Sequence, residues 1–356
     1  MYRNLPAVLQ ARLYREADLL QKILFKDREA KNHLERDNYA DAAKVLLRHQ
    51  RLDWNLLAEG YRSLSEQKIK EFEFDVFTIK AQYNPGRIHS TSAKVDDESI
   101  SKRKCFLCNE NRPSEQKAIQ YKKDYLIICN PYPIFPEHFT IPLSKHFPQR
   151  IKNHFSTLLS LSKDLSEYYS IIYNGPKCGA SAPDHIHFQA GTKYFLPIED
   201  DIRKIKSEYG ITLSEDFAFS VTAIDDRLRK FILIEGKKER DILFALETLY
   251  KTFQLISKAN EEPMFNILSV YRDKKGWRIF VFPRSKHRPS LYYLDENKKI
   301  LLSPATVDLS GVCILPIEKH FDKLAKEHIV KIFREVSLGK EEFEFLKSGL
   351  ERRLND

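Results

Sequence analysis

The chain has 356 residues, 42% apolar and 12% aromatic, enough for two average domains or one large duplicated one; global disorder is excluded. The formal charge of +9, from 59 basic and 50 acidic residues mixed along the chain, favours anionic partners, nucleotides and phosphosugars as readily as RNA. No run of eighteen apolar residues offers a membrane helix, Met1–Gln10 lacks a signal-like pattern, and five cysteines make no secreted disulfide framework, so a cytoplasmic protein is expected.

Residues 1–70 read as a helical segment, with Leu9, Leu13, Leu19, Leu20, Ile23 and Leu24, then Ala42, Leu46, Leu47, Leu56 and Leu57, near helical spacing. It holds no ligand-type cluster, so a structural or capping role is expected. Phe72–Phe77 alternates with period two and predicts a half-buried strand. Ser90–Arg103 is polar and predicts a loop toward a cysteine pair. Tyr125–Cys129 predicts a strand stopped by Asn130-Pro131, and Phe139–Ile141 another. Residues 151–170, with leucines at 158, 159, 161 and 165, fit a helix. Ser170–Tyr173 is a strand entering a loop with two histidines.

An internal repeat is suggested by Phe139-Thr140-Ile141-Pro142-Leu143-Ser144-Lys145-His146 against Phe280-Val281-Phe282-Pro283-Arg284-Ser285-Lys286-His287. They share the first Phe, the Pro and the Ser-Lys-His across an offset of 141 residues (139 to 280). A shorter echo, Leu315–His320, suggests that the pattern is partly generic. The later half has no second His-x-His pair, so one half is expected to do chemistry and the other to support it.

Cys105-Phe106-Leu107-Cys108 has the spacing of a metal knuckle, which lets two thiolates meet one ion. A thioredoxin-like dithiol shares that spacing but expects a strand and helix around it, whereas Asn109–Pro113 here is turn-like; unliganded buried thiols are the third possibility. Distant histidines must complete a metal site. His146 and His185 each follow a strand and a turn, with His138 and His154 in reserve.

Asn174-Gly175 and Gly179-Ala180-Ser181 run into His185-Ile186-His187-Phe188-Gln189. Histidines at i and i+2 on a strand share a face, so one can anchor while the other attacks. Glycine and serine upstream permit close approach to phosphate oxygens, and the Gln189 amide can donate to a phosphate without adding charge. An imidazole held at one nitrogen is a competent nucleophile at the other. The plainer alternative is two satisfied polar residues on a sheet.

These residues resemble the nucleotidyltransferase and phosphorylase branch of the histidine triad superfamily. That branch includes galactose-1-phosphate uridylyltransferase, diadenosine tetraphosphate phosphorylase and plant GDP-L-galactose phosphorylase. Its hallmark His-x-His-x-Gln falls at residues 185–189; Asn174-Gly175, Gly179-Ala180-Ser181 and Glu137–His146 are similar to its other signatures. The resemblance implies an α+β fold: a duplicated histidine-triad-like domain with antiparallel sheets flanked by helices, plus the N-terminal helical segment. The expected divisions are 1–70, a catalytic half 71–210, a degenerate half 211–330 and a C-terminal helix 331–356. It implies a structural zinc on Cys105, Cys108, His146 and His185, with His187 the residue that becomes nucleotidylated and Gln189 its phosphate partner.

The implied activity is nucleotidyl transfer or phosphorolysis on a nucleoside diphospho-sugar or dinucleoside polyphosphate, with phosphate or a sugar phosphate as acceptor. Asp184-His185-Ile186-His187 departs from the Asn-Pro-His-Pro-His wording of uridylyltransferases and tilts the expectation toward a phosphorylase. Asn174, Gly179 and Ser181 are the expected substrate contacts. Arg112 is the first choice for offsetting phosphate charge, with Lys177 and Arg87 behind it and Arg284 and Lys286 from the second half. A hydrolase is the alternative within the superfamily, though hydrolases carry a third histidine where Gln189 stands. A zinc-stabilised RNA-binding protein, using Ser101–Lys104 and Tyr292-Tyr293, is the alternative outside it, and it leaves His187 without a role. No membrane partner is expected, and a homodimer is compatible with the branch.

Overall fold

The computed structural model describes residues 18–93, 95–216, 219–257 and 261–356. Leu9 and Leu13 of the predicted helical segment lie outside the described residues. The remainder of that segment forms helices Arg28–Leu34, Tyr39–Asp53 and Asn55–Ser65. The Asp27 and Asn38 side chains cap the first two by accepting from the backbone N–H of Ala30 and Asp41 at 3.0 and 3.1 Å, satisfying otherwise orphaned donors. Ala42, Leu46 and Leu57 are buried on the inner face.

The predicted 72–77 strand is displaced. Strand β1 covers Lys68–Glu73 and β2 covers Thr78–Tyr83, paired Glu73 to Thr78. The phenylalanines beyond Glu73 instead close the hairpin, Phe74 and Phe77 stacking with ring centroids 5.1 Å apart. The 90–103 stretch is not a plain loop, since its end is the helix Asp97–Lys102, capped by Asp96.

A ten-stranded sheet dominates the molecule. Its members are β3 (Ala118–Tyr121), β4 (Tyr125–Cys129), β5 (His138–Pro142), β6 (Tyr169–Asn174), β7 (His187–Thr192), β8 (Gly210–Glu215), β9 (Phe219–Asp225), β10 (Lys230–Gly236), β11 (Phe265–Arg272) and β12 (Gly276–Pro283). The spatial order is β3-β4-β5-β7-β6-β11-β12-β10-β9-β8, antiparallel throughout. Each half is a three-strand meander, a helix (Phe155–Asp164 or Glu239–Gln254) and two strands, the last inserted beside the third. The halves join at β6 and β11, where Asn174 lies opposite Asn266.

The duplication is present, but in a different register from the eight-residue match. Topology equates β5 with β10 and β7 with β12, whereas the match laid β5 onto β12. Starts at 138 and 230, and at 118 and 210, place the halves 92 residues apart. The match reflects shared local chemistry, since β5 and β12 each end on a proline that cannot extend the ladder.

Helices cover one face of the sheet through Leu158, Leu246 and Leu346. The other face packs the helices Ile198–Tyr209, Glu318–Lys323 and Lys326–Val336, and a small sheet in which β13 (Val312–Leu315) runs parallel to β2. The predicted C-terminal helix is two, Lys326–Val336 and Lys340–Asn355, broken at Gly339, whose N–H is taken by Glu342 at 3.0 Å. The predicted 151–170 helix is shortened to Phe155–Asp164, because the N–H of Ile151 is held by buried Glu262 at 2.7 Å. Among the described residues no helix is long and apolar enough to cross a membrane. On β7, Phe188 and Ala190 enter the helix-covered core, so alternation turns His187 and Gln189 to the opposite face.

Candidate active site and metal centre

The knuckle comes first along the chain. Cys105 and Cys108 follow the Asp97–Lys102 helix, His146 follows β5, and His185 precedes β7. Their four ligand atoms lie within 4.8 Å of one another. Cys105 Sγ is 3.3 Å and Cys108 Sγ 3.6 Å from His185 Nδ1, and Cys108 Sγ is 3.2 Å from His146 Nδ1. Thiolate and imidazole around a tetrahedral zinc stand about 3.6 Å apart, so the set has the right size. Tautomer chemistry agrees: His185 Nε2–H donates to the Leu143 carbonyl at 2.7 Å, leaving the Nδ1 lone pair aimed at the thiols. His185 sits just before the strand rather than on it. The reserve histidines are elsewhere: His138 is inside β5, and His154 contacts the Tyr125 hydroxyl at 2.6 Å.

His187 opens β7 and is buried. Its Nδ1–H donates to the His185 carbonyl at 2.8 Å, because a carbonyl can only accept. The Nε2 lone pair is therefore free. Burial lowers its basicity to a pKa of about 4, keeping the ring neutral. Its backbone is clamped by Gln149, whose Oε1 accepts from His187 N–H at 2.8 Å and whose Nε2 donates to the carbonyls of His187 and Asn174 at 3.1 and 2.8 Å. Gln149 is 0% exposed. We expect Gln149→Leu, which leaves these three groups without partners, to cost about 2–4 kcal/mol, read by denaturant unfolding. Wild-type stability would exclude the clamp.

Gln189, two residues on, shares the face of His187. The Ile134 N–H donates to His138 Nδ1 at 3.2 Å, so His138 Nε2–H must donate to Gln189 Oε1 at 2.9 Å. That relay fixes the amide and leaves its NH2 to donate into the cleft. Asn174 is fixed similarly: its Oδ1 accepts from the Thr306 N–H at 2.9 Å and from Asn266 Nδ2 at 2.7 Å, leaving its own NH2 as donor. Gly179 has φ +91, and a Cβ there would lie 2.7 Å from the Ala305 Cβ. Only glycine lets the loop lie this close.

Two family models match the chain: one described as a domain of unknown function, DUF4922, over residues 46–192, and one described as GDPGP1-like, C-terminal domain, over residues 219–355. Among solved structures, that of yeast Ap4A phosphorylase Apa2 is similar with a TM-score of 0.54 at 14% identity, over 80% of this chain and 96% of that one. The same yeast enzyme in complex with Ap4A gives 0.52 at 13% identity over 80% and 96%, and in complex with AMP 0.51 at 15% over 80% and 94%. The fold is that of these yeast phosphorylase structures. No curated protein matches the sequence.

Within this fold, His187 and Gln189 line a cleft of about 630 Å³, with Ser181 and Arg87 beside them. Its far wall is apolar: Trp54 and Leu56 from the N-terminal helices, and Phe106 and Leu107 from the knuckle. Past Gln189 a recess of about 60 Å³ is bounded by Asn174, Gly179, Ser181, Arg87, His287 and Arg288. The equivalent strand of the second half, β12, turns Phe280 and Phe282 to this face, so that half has no counterpart of the His187–Gln189 pair.

The predicted cations separate. Arg87 faces both chambers, anchored through Nη1 to the Tyr132 carbonyl at 2.9 Å. Arg112 lies outside the cleft lining, buried near Cys108, with Nη2 on Asn109 Oδ1 at 2.9 Å. Lys177 is exposed and paired with Glu261 at 2.8 Å. Arg284 is buried and spends its guanidinium on Asn266 and on the carbonyls of Pro304, Lys286, His287 and Val336, so it is structural. Lys286 is exposed outside both chambers. Gln149, the orienting role of His138, the wall formed by Trp54 and Phe106, and the His287-Arg288 pair were not found from sequence. The one sequence signal beside the last pair is the Ser-Lys-His echo, which by itself indicates only a repeat.

Proposed function

We propose that the chain is a nucleotidyltransferase of phosphorylase type, acting on a nucleoside diphospho-sugar or dinucleoside polyphosphate through a nucleotidyl-histidine. The observation that carries this reading is the free Nε2 of His187, pinned through Nδ1 and placed on the cleft beside a donating Gln189 amide. The similar yeast structures are those of an Ap4A phosphorylase in complex with AMP or with Ap4A, which supports this class.

In the first step the Nε2 lone pair attacks the α-phosphorus and forms an N–P bond. The bond from phosphorus to the bridging oxygen breaks, and its electron pair leaves on the departing phosphate. In the second step an acceptor phosphate oxygen attacks the same phosphorus, and the N–P electrons return to Nε2. The NH2 groups of Gln189 and Asn174, with the Ser181 hydroxyl, stabilise the equatorial oxygens, and Arg87 offsets the charge. The recess between Asn174 and Arg288 has room for a few atoms, which suits inorganic phosphate better than a sugar phosphate. Zinc held by Cys105, Cys108, His146 and His185 would have no open position and would supply structure.

The apolar wall takes the base. Phe106, 48% exposed, is expected to stack, so Phe106→Ala should raise KM about 5- to 100-fold with little change in Tm. An unchanged KM would remove the base from this wall.

The test is intact mass under neutral or alkaline conditions, which preserve an N–P bond, after incubation with ATP, GTP, GDP-hexoses, UDP-hexoses or diadenosine tetraphosphate without acceptor. An added nucleoside monophosphate that phosphate then discharges is the expected result. No adduct with any donor, in folded and metal-loaded protein, would overturn it.

A further inference from the structure

A second cleft, of about 520 Å³, lies at the opposite end of β7 and β11 from His187 and Asn266. It opens just past Thr192. Six residues of strand separate it from the nucleophile, about 20 Å. Five cations line it: Lys193, Arg203, Arg272, Lys275 and Arg278.

Their charge is poorly answered from within the protein. Glu235 alone serves Arg278 at 2.7 Å, Lys206 at 3.0 Å and Arg272 at 3.9 Å. Arg272 Nε is buried with no hydrogen-bond partner. Burial first, then the like charge of Arg278, lowers the Arg272 pKa; Glu235 opposes the shift and Arg203 adds to it. The cleft also carries Asp200, Asp273 and Glu199, but burial raises the Glu199 pKa to about 7, so it offsets less than a full charge. Guanidinium groups crowded in a concavity with unspent donors are arranged for an anion with several acceptor oxygens.

A second, independent observation falls at the same place. Tyr194 has φ +62, a left-handed conformation that a bulky side chain avoids, and the residue is 57% exposed and lines the cleft. The backbone around it is held by Lys193, whose Nζ donates to the carbonyls of Ser166 and Tyr271, both at 2.7 Å. Strain of this kind persists where the surroundings enforce it, and ligand clamps are among those places.

We propose that this cleft is a second ligand site, which binds a phosphorylated small molecule with its phosphate on Arg203, Arg272 and Lys275 and its remainder beside Tyr194. It is separate from the His187 cleft and does not depend on the reaction assigned there.

Inorganic pyrophosphate is the probe, with amide hydrogen exchange on the full chain to locate it. Protection is expected at residues 193–197 and in the turn at 273–275, in addition to any near 174–189. In an Arg203→Glu/Lys275→Glu protein, protection at the distal segments should require at least about ten-fold more pyrophosphate, while that near 174–189 is unchanged. Arg203→Gln/Lys275→Gln, which only removes charge, should shift the same way and guards against misfolding in the reversed pair. No protection at 193–197 and 273–275 in wild type, or equal protection in variants of wild-type Tm, would overturn the second site.

Discussion

Replacing His187 with Ala should lower kcat by at least about 10⁴-fold, the scale seen when a covalent nucleophile is lost. It should also abolish the nucleotidyl adduct and leave bound metal unchanged. Metal should be spared because His187 donates only to the His185 carbonyl, while the candidate ligand atom is the His185 ring Nδ1. Gln189→Ala gives a graded contrast. It removes one donor to the phosphorus oxygens, so a fall of about 10²–10³-fold is expected, with the adduct still formed. The order of the two losses separates a nucleophile from a stabilising donor. If His187→Ala still turned over at the wild-type rate, attack through a histidine would be excluded. If both variants fell equally with an adduct in each, His187 would be positioning substrate only. Metal content and mass on the same samples, beside the kinetics, distinguish these outcomes.

The parts of the site legible in sequence are those written in short contiguous stretches. Cys-x-x-Cys and His-x-His-x-Gln each bring two polar side chains together by local geometry alone, so they can be singled out as candidates before any fold is known. The roles that were missed arise where distant segments meet. Gln149 is an unremarkable residue after β5 until the sheet brings it against the backbone of His187, 38 positions on. His138 read as a spare metal ligand because a histidine's partner is not encoded beside it; only the β5–β7 pairing places it against Gln189. Arg112 and Arg87 illustrate the same limit. Both carry the right charge, and only the folded chain shows that Arg87 lines the cleft while Arg112 lies behind the knuckle. The duplication was visible as recurrence but not in register, because the similar octapeptides share a proline-terminated strand rather than a topological position. Trp54 gave no sign of lining the cleft, since an apolar helix residue looks the same whether it faces a core or a base.

Stripping metal from the protein, or replacing Cys105 with Ser, should lower its stability and remove one equivalent of zinc per chain. The four candidate ligands come from three separated places: the 105–108 turn, the residue group after β5 and the entry to β7. A bound ion therefore closes two long loops that side-chain packing leaves lightly tied, for the knuckle belongs to a small cluster with Ile23, Ala118 and Ile128, apart from the main cores. A ligand that binds only the folded state stabilises it by about 4 kcal/mol when its free concentration exceeds Kd a thousand-fold. The expected result is a loss of this order in denaturant unfolding, reversed by zinc in the wild type and not in Cys105→Ser. Activity should fall with it, because His185 both offers its ring to the metal and fixes the His187 tautomer with its carbonyl. Loss of a metal here would free the residue that anchors His187, and added zinc should restore adduct formation and stability together. Stability that recovers without the adduct would mean that the knuckle holds the fold but not the ring of His187. Stability indifferent to chelation and to Cys105→Ser alike would show that the four residues pack without an ion.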